Sequence, residues 1–139
     1  MTDKFSPFER SRIMSQIKNK NTKPEKAVRS ILHKMGYRFR INVNELPGNP
    51  DIVLPKYRRV IFVHGCFWHG HKGCKRAKRP SSNKEFWNKK IDSNIERDKK
   101  VRRELRKIGW GSLVVWQCQL KKPELLIKRL NKYLVFSEE

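Results

Sequence analysis

The sequence predicts an α/β domain built on a mixed central β-sheet. Three observations support this: apolar runs at 51–54 and 59–63 separated by a short turn, a long helical pattern over 84–108, and a third apolar run at 111–116. The first two runs are most simply an antiparallel hairpin. The second run, the helix and the third run form a crossover unit, in which the two strands are expected to be parallel.

Two helices and a strand are predicted before the hairpin. Ser6-Pro7-Phe8-Glu9 is a capping box with proline at the first helical position, which predicts a short basic helix to about Lys18. Thr22-Lys23-Pro24-Glu25 repeats this pattern, and Gly36 ends the second helix. Residues 37–43 alternate between apolar and polar side chains, which predicts a half-buried strand.

The remaining elements follow from caps and breaks in the pattern. Leu46-Pro47-Gly48-Asn49-Pro50 is expected to form a turn before the hairpin. Asn83 is the expected cap of the long helix, and Gly109 ends it. Pro123 opens a final helix that runs through Leu134 and places three leucines on one face (Leu126, Leu130 and Leu134).

The charge indicates a polyanionic partner. The chain carries 34 Lys and Arg against 13 Asp and Glu, a formal net charge of +21 over 139 residues. Nucleic acid fits best, because each phosphate contact releases counterions. A membrane partner is disfavoured, because no segment approaches the roughly 20 apolar residues of a spanning helix. The first residues, 1–6, lack the apolar core of a signal peptide. A basic binding protein without catalysis remains the alternative.

Residues 64–74 concentrate three of the four histidines and two of the three cysteines of the chain. The crossover is expected to bring Cys118 near this segment, which gives a Cys3His set of the kind that holds structural zinc (Cys66, His71, Cys74 and Cys118). His69 could replace His71, since the sequence does not distinguish the two imidazoles. Alternatively, Cys118 is a small buried apolar residue and Cys74 a surface thiol.

Asp51 is the first candidate for catalysis. It precedes an apolar strand, and a tight hairpin would place it across from Val63 and His64, where its carboxylate suits Mg²⁺. The alternative is an aspartate that bonds turn amides. Glu25 has a similar alternative, because a capping-box glutamate normally bonds its own helix terminus.

Two features suggest contact with DNA bases. Phe67 and Trp68 are adjacent in a glycine-flanked loop, a pattern that suits a wedge inserted between bases, although burial of one ring in the core is the alternative. Asn94 and Asp98 interrupt the apolar line of the long helix. Polar side chains in such a line need partners, so either the helix leaves the core there or they meet a ligand.

These motifs resemble the very short patch repair (Vsr) endonucleases, the mismatch-nicking branch of the PD-(D/E)xK nucleases. The resemblance runs from about Arg10 to Cys118. It lies in Pro-Gly-x-Pro-Asp at 47–51, His-Gly-Cys-Phe-Trp-His at 64–69, Phe86-Trp87, Asn94-x-x-Arg97-Asp98 and Gly109-Trp110. It implies a PD-(D/E)xK nuclease-like fold and a Mg²⁺-dependent nick 5′ of the thymine in a T·G mismatch left by deamination of 5-methylcytosine.

The resemblance also implies roles for individual residues. Asp51 and the Val63 backbone carbonyl would bind Mg²⁺, His69 would be the general base, and His64 and Glu25 would support the site. Structural Zn²⁺ would be held by Cys66, His71, Cys74 and Cys118. Intercalation would involve Phe67, Trp68, Trp87 and, from the other groove, Met14. The wobble pair would be read by Lys90 and Asn94.

At the level of the whole chain, the resemblance implies one Vsr-like domain over 1–139. Residues 1–20 would form a DNA-contacting helix, and 21–136 the catalytic core. The partner would be double-stranded DNA with a T·G mismatch, bound by a monomer in the bacterial cytoplasm at the nucleoid. Contacts with other repair proteins are left open.

Overall fold

The central sheet has the mixed topology that the sequence predicts. Within residues 22–41 and 43–135, which the computed structural model describes, three strands form one sheet: β1 (Ile52–Leu54), β2 (Arg59–His64) and β3 (Gly111–Trp116). β1 pairs with β2 in antiparallel fashion, and β2 pairs with β3 in parallel. The predicted hairpin and crossover are therefore confirmed.

Three helices surround this sheet in the described ranges: α1 (Lys23–Lys34), α2 (Lys84–Lys107) and α3 (Pro123–Val135). The Thr22 side chain accepts a hydrogen bond from the Glu25 backbone N–H at 3.4 Å, as its capping pattern predicts. Asn83 lies at the start of α2 in the left-handed region (φ 52°) without a side-chain capping bond, so its predicted role as a cap is wrong. The helix predicted to end near Lys18 lies outside the described residues.

No helix in the described part of the chain is long and apolar enough to cross a lipid bilayer.

The strand predicted over 37–43 is reduced to a single bridge. Arg40 exchanges two backbone hydrogen bonds with Val53, at 2.7 and 2.9 Å, and no regular strand surrounds it in the described residues. The partner limits this pairing, because β1 is three residues long and Pro55, which follows it, has no N–H to donate. Tyr37 and Phe39 nevertheless pack against the core as the alternation predicts.

Both faces of the sheet are buried, which explains why its strands read as continuous apolar runs. On one face, α1 and α3 pack against alternate strand residues; this cluster contains Val28, Leu32, Ile52, Leu54, Ile61, Val115, Leu126, Leu130 and Leu134. On the other face, α2 contributes Leu105 to a second cluster with Val43, Val53, Val60, Phe62 and Val114.

Strand register gathers the chemistry at one end of the sheet. His64, the last residue of β2, pairs with Trp116, the last residue of β3, so both chains leave the sheet at the same edge. The turn before β1 packs close to α2: Gly48 has a φ of +78°, and a Cβ there would collide with Val101. This contact brings Asp51 to the same edge.

Candidate active site and metal centre

The segment 65–74, which we call the site loop, connects β2 to the region before α2 and is held by its own backbone. His69 N donates to the Gly65 carbonyl at 3.2 Å, and His71 N donates to the Cys66 carbonyl at 2.9 Å. Gly70 lets the site loop approach α2, since a Cβ there would lie 2.7 Å from the Ile95 side chain. The loop is thereby folded back onto α2.

Four donors converge between the site loop and the end of β3. The ligand atoms of Cys66, His71, Cys74 and Cys118 all lie within 4.8 Å of one another, and Cys118 Sγ is 3.5 Å from His71 Nδ1. A tetrahedral zinc ion with bonds of about 2.0–2.1 Å to nitrogen and about 2.3 Å to sulfur places such a pair about 3.6 Å apart. The geometry therefore fits a four-coordinate metal, and His71 is the histidine that it includes.

The surroundings prepare this cluster for a cation. Burial raises the pKa of the Cys66 thiol to about 11, so without a metal this sulfur keeps its proton. Burial and the nearby Arg129 lower the pKa of His71, which favours the neutral imidazole that metals bind. The His71 ring also stacks on Trp116 at 4.1 Å between centroids. Metal binding would thus remove the cost of a buried thiol and lock the loop to β3.

A cleft of about 630 Å³ lies beside this cluster, and Asp51 and Glu25 are among the acidic residues lining it. Asp51 Oδ2 accepts a 2.6 Å hydrogen bond from the Val63 backbone N–H, so the two residues face each other across the hairpin as predicted. Burial raises the pKa of Asp51 to about 6, and the Glu25 charge adds to the increase. Such under-compensated carboxylates suit a divalent cation.

Glu25 reaches the cleft from the first turn of α1, where it is 8% exposed. Its carboxylate accepts a hydrogen bond from Arg29 at 3.2 Å. The bland alternative for Glu25, a role confined to its helix terminus, does not account for its place beside Asp51.

His69 is bound by a residue of α2 to which the sequence analysis gave no role. Its Nδ1 lies 2.7 Å from Asp98 Oδ2. Because a carboxylate can only accept, Nδ1 carries the proton and Nε2 is left as a proton acceptor. The signal for Asp98 was present in the sequence as a charged break in the apolar line of α2.

His64 stacks on His69, with ring centroids 3.7 Å apart and planes 5° apart. Burial lowers the pKa of His64 to about 3, and the nearby His69 lowers it further, so this ring is neutral. Its Nδ1 is buried without a hydrogen-bond partner among the described residues. His64 therefore supports the His69 ring as a flat neutral surface.

The predicted wedge residues form an aromatic patch outside both core clusters. Phe67 contacts Trp68 and Trp87, with centroid distances of 5.4 and 5.3 Å, and Phe86 lies 5.1 Å from Trp87. Neither Phe67 nor Trp68 is buried, and Phe86 is 46% exposed. The alternative that the core holds one of the two rings is not what the structure shows.

Comparison with known proteins agrees with this geometry. The family model described as DNA mismatch endonuclease Vsr matches residues 2–76. The DNA mismatch endonuclease Vsr of Escherichia coli is 40% identical over 139 residues, covering 96% of this chain and 88% of that protein. The chain belongs to the Vsr family of DNA mismatch endonucleases.

Other Vsr relatives carry names that refer to nicking. The type II nicking enzyme V.XorIIP of Xanthomonas oryzae pv. oryzae is 51% identical over 134 residues, covering 96% of this chain and 98% of the relative. The type II nicking enzyme V.NmeAIP of Neisseria meningitidis is 48% identical over 132 residues, covering 95% and 94%. The chain is therefore a DNA endonuclease by family.

The fold of this Vsr family member is similar to that of a solved nuclease. The catalytic domain of the homing endonuclease I-Bth0305I aligns with a TM-score of 0.62 at 21% identity, covering 86% of this chain and 100% of that domain. The predicted nuclease-like mixed α/β fold is thereby confirmed.

The two residues assigned to mismatch reading in this Vsr protein occupy different environments. Lys90 is half-buried on α2, in the turn that follows Trp87. Asn94 is 4% exposed, and its side-chain amide donates to the Trp68 backbone carbonyl at 2.9 Å. Their reading role stays a prediction, and Met14 lies outside the described residues.

The four-donor cluster predicts which histidine the metal needs. Cys118→Ser and His71→Ala should lower bound zinc and the melting temperature together, because each removes a ligand and leaves a buried thiol uncompensated. His69→Ala is the matched control and should retain zinc. Metal content per chain and thermal unfolding measure both effects. A Cys118→Ser protein with a full complement of zinc, or zinc loss in His69→Ala, would contradict the assignment.

The raised pKa of Asp51 predicts that this residue destabilises the metal-free fold. The folded state binds its proton more tightly than the ordinary value of 3.8 allows, so stability is lost as pH rises from about 4 to about 6. Above that window the loss amounts to about 3 kcal/mol. Without added Mg²⁺, Asp51→Asn should therefore exceed wild type in unfolding free energy at pH 7.5.

Denaturant unfolding at pH 4 and pH 7.5 tests this, with Asp92→Asn as the control because the Asp92 carboxylate is exposed on the same protein. The advantage of Asp51→Asn should vanish near pH 4 and narrow when Mg²⁺ is added. An Asp51→Asn protein no more stable than wild type at pH 7.5 would show that the carboxylate is already compensated.

Proposed function

We propose that this endonuclease nicks one strand of duplex DNA 5′ of the thymine in T·G mismatches, the lesion that deamination of 5-methylcytosine leaves. One observation carries the proposal. The wedge residues Phe67 and Trp68 precede His69 directly, and His69 faces Asp51 in the acidic cleft, so recognition and chemistry share one loop. The printed names of the relatives, mismatch endonuclease and nicking enzyme, agree with a single-strand break.

Mismatch recognition is assigned to the aromatic patch. Phe67, Trp68 and Trp87 would enter the base stack, with Met14 approaching from the other groove and Lys90 contacting the wobble pair. Insertion costs less where base pairing is already defective, so a wedge favours the mismatch. Arg97 and Arg102 line the cleft and offer positive charge to the phosphates of the cut strand.

Hydrolysis is assigned to the cleft. Asp51, with the Val63 backbone carbonyl, would hold Mg²⁺, which when bound stabilises negative charge on the scissile phosphate. His69 takes a proton from the attacking water at Nε2, because Asp98 keeps the other ring nitrogen protonated. Asp98 then stabilises the imidazolium that forms. The neutral His64 ring and Glu25 support this arrangement from either side.

The Cys3His cluster is assigned to structural Zn²⁺, since four protein ligands leave no open position for substrate. Zinc would hold the site loop against β3 while His69 works from the opposite side of the same loop. We further propose that residues 1–20 contact DNA, that the chain acts as a monomer in the bacterial cytoplasm at the nucleoid, and that the surrounding sequence tunes cleavage. The type II nicking enzymes among the relatives motivate this last point.

A nicking assay tests the proposal. Duplexes labelled on each strand, carrying T·G in every flanking context or T·A, are incubated with Mg²⁺ under single-turnover conditions. Wild type should cut the thymine strand of the T·G duplex. Asp51→Asn and His69→Ala should lower the rate by at least about 10²–10⁴-fold while they retain zinc and DNA binding.

Asp92→Asn and His33→Ala are the matched controls, because both side chains lie on exposed helix faces. Equal cutting of T·A and T·G duplexes would contradict mismatch specificity. Tight DNA binding without any cutting would instead identify a zinc-stabilised DNA-binding protein without catalysis.

A further inference from the structure

Two side chains one turn apart on α2 grip consecutive residues of the site loop. Asn94 Nδ2 donates to the Trp68 carbonyl at 2.9 Å, and Asp98 Oδ2 lies 2.7 Å from His69 Nδ1. Residues four apart on a helix lie on the same face, so the two contacts are adjacent in space. α2 therefore holds a wedge residue and the proposed base at the same time.

The peptide unit between Trp68 and His69 is held at both of its polar groups. Its carbonyl accepts the hydrogen bond from Asn94, and its N–H, which belongs to His69, donates to the Gly65 carbonyl at 3.2 Å. A planar peptide bond fixes the positions of the two flanking Cα atoms relative to each other. Gripping this unit thus sets the wedge ring and the imidazole as one rigid pair.

Both ends of the Asn94 amide are engaged inside the protein. While Nδ2 donates to Trp68, Oδ1 accepts a hydrogen bond from Arg97 at 3.3 Å, and the residue is 4% exposed. A side chain that reads a base edge must present a donor and an acceptor to a groove. Asn94 would have to break both internal bonds and leave the Trp68 carbonyl without this partner to do so.

We propose that Asn94 is a positioning residue that couples insertion of Trp68 to placement of His69. This inference rests on the proposed function, since it concerns the same wedge and the same base. Entry of Trp68 into the base stack pulls on the peptide unit that Asn94 holds, and the pull is transmitted to His69 and to α2. Without Asn94 the wedge can still enter, but His69 is no longer held at its reacting distance.

Two variants and a matched control test the proposal. Asn94→Ala removes the grip, and Asn94→Asp keeps the size of the side chain but removes its N–H donor. Asn88→Ala is the control, because Asn88 lies on the same helix and bonds Arg79 instead of the site loop. Zinc content and melting temperature verify that each variant is folded. The measurements are amide hydrogen exchange over 65–71 without DNA, duplex affinity, and the single-turnover nicking rate at saturating enzyme.

Both Asn94 variants should exchange faster over 65–71 and nick T·G duplex up to about 10²-fold more slowly, the usual effect of a misplaced catalytic group. Their affinity for T·G duplex, and its ratio to the affinity for T·A duplex, should stay near wild type, as should every property of Asn88→Ala. A near-normal saturating rate with a collapsed T·G preference would assign Asn94 to base reading and overturn the proposal.

Unchanged exchange over 65–71 in both variants would overturn it equally. The exchange measurement uses protein without DNA, so it decides the grip of Asn94 even if wild type nicks no T·G duplex and the proposed function fails.

Discussion

The hydrogen bond between His69 and Asp98 joins the two parts of the molecule on which the site depends. His69 belongs to a loop that follows the central strand β2, and Asp98 belongs to α2, which packs on the sheet through Leu105. The bond has a defined geometry because both partners are anchored in rigid elements. It also selects the tautomer in which Nε2 accepts a proton, so a structural contact and a chemical requirement coincide.

The position of β2 in the middle of the sheet determines what can meet at this edge. Antiparallel pairing with β1 places Asp51 against Val63, and parallel pairing with β3 delivers Cys118 to the site loop. The four-donor cluster and the acidic cleft therefore occupy two sides of one segment of ten residues. Loss of the metal cluster would loosen the loop that carries His69, although no ligand of that cluster takes part in the chemistry.

Local pattern explains which features could be predicted. Apolar runs, caps and glycine stops identified the hairpin, the crossover and the long helix, and residue chemistry identified the Cys3His set. The strand over 37–43 was wrong because its pairing is limited by Pro55, a residue on the partner. Asp98 and the internal bonds of Asn94 were missed because both contact residues more than 25 positions away. Periodicity could show that these polar residues need partners, but only the fold supplies them.

The most direct test of this account is the single-turnover rate at which Asp98→Asn, His69→Ala and the double variant nick a T·G duplex. If Asp98 acts through His69, Asp98→Asn should lower the rate by about 10²–10⁴-fold. The double variant should then be no slower than His69→Ala alone, because residues that act as a unit are not additive. A near-normal rate for Asp98→Asn, or a double variant slowed by the product of the two single effects, would contradict the account.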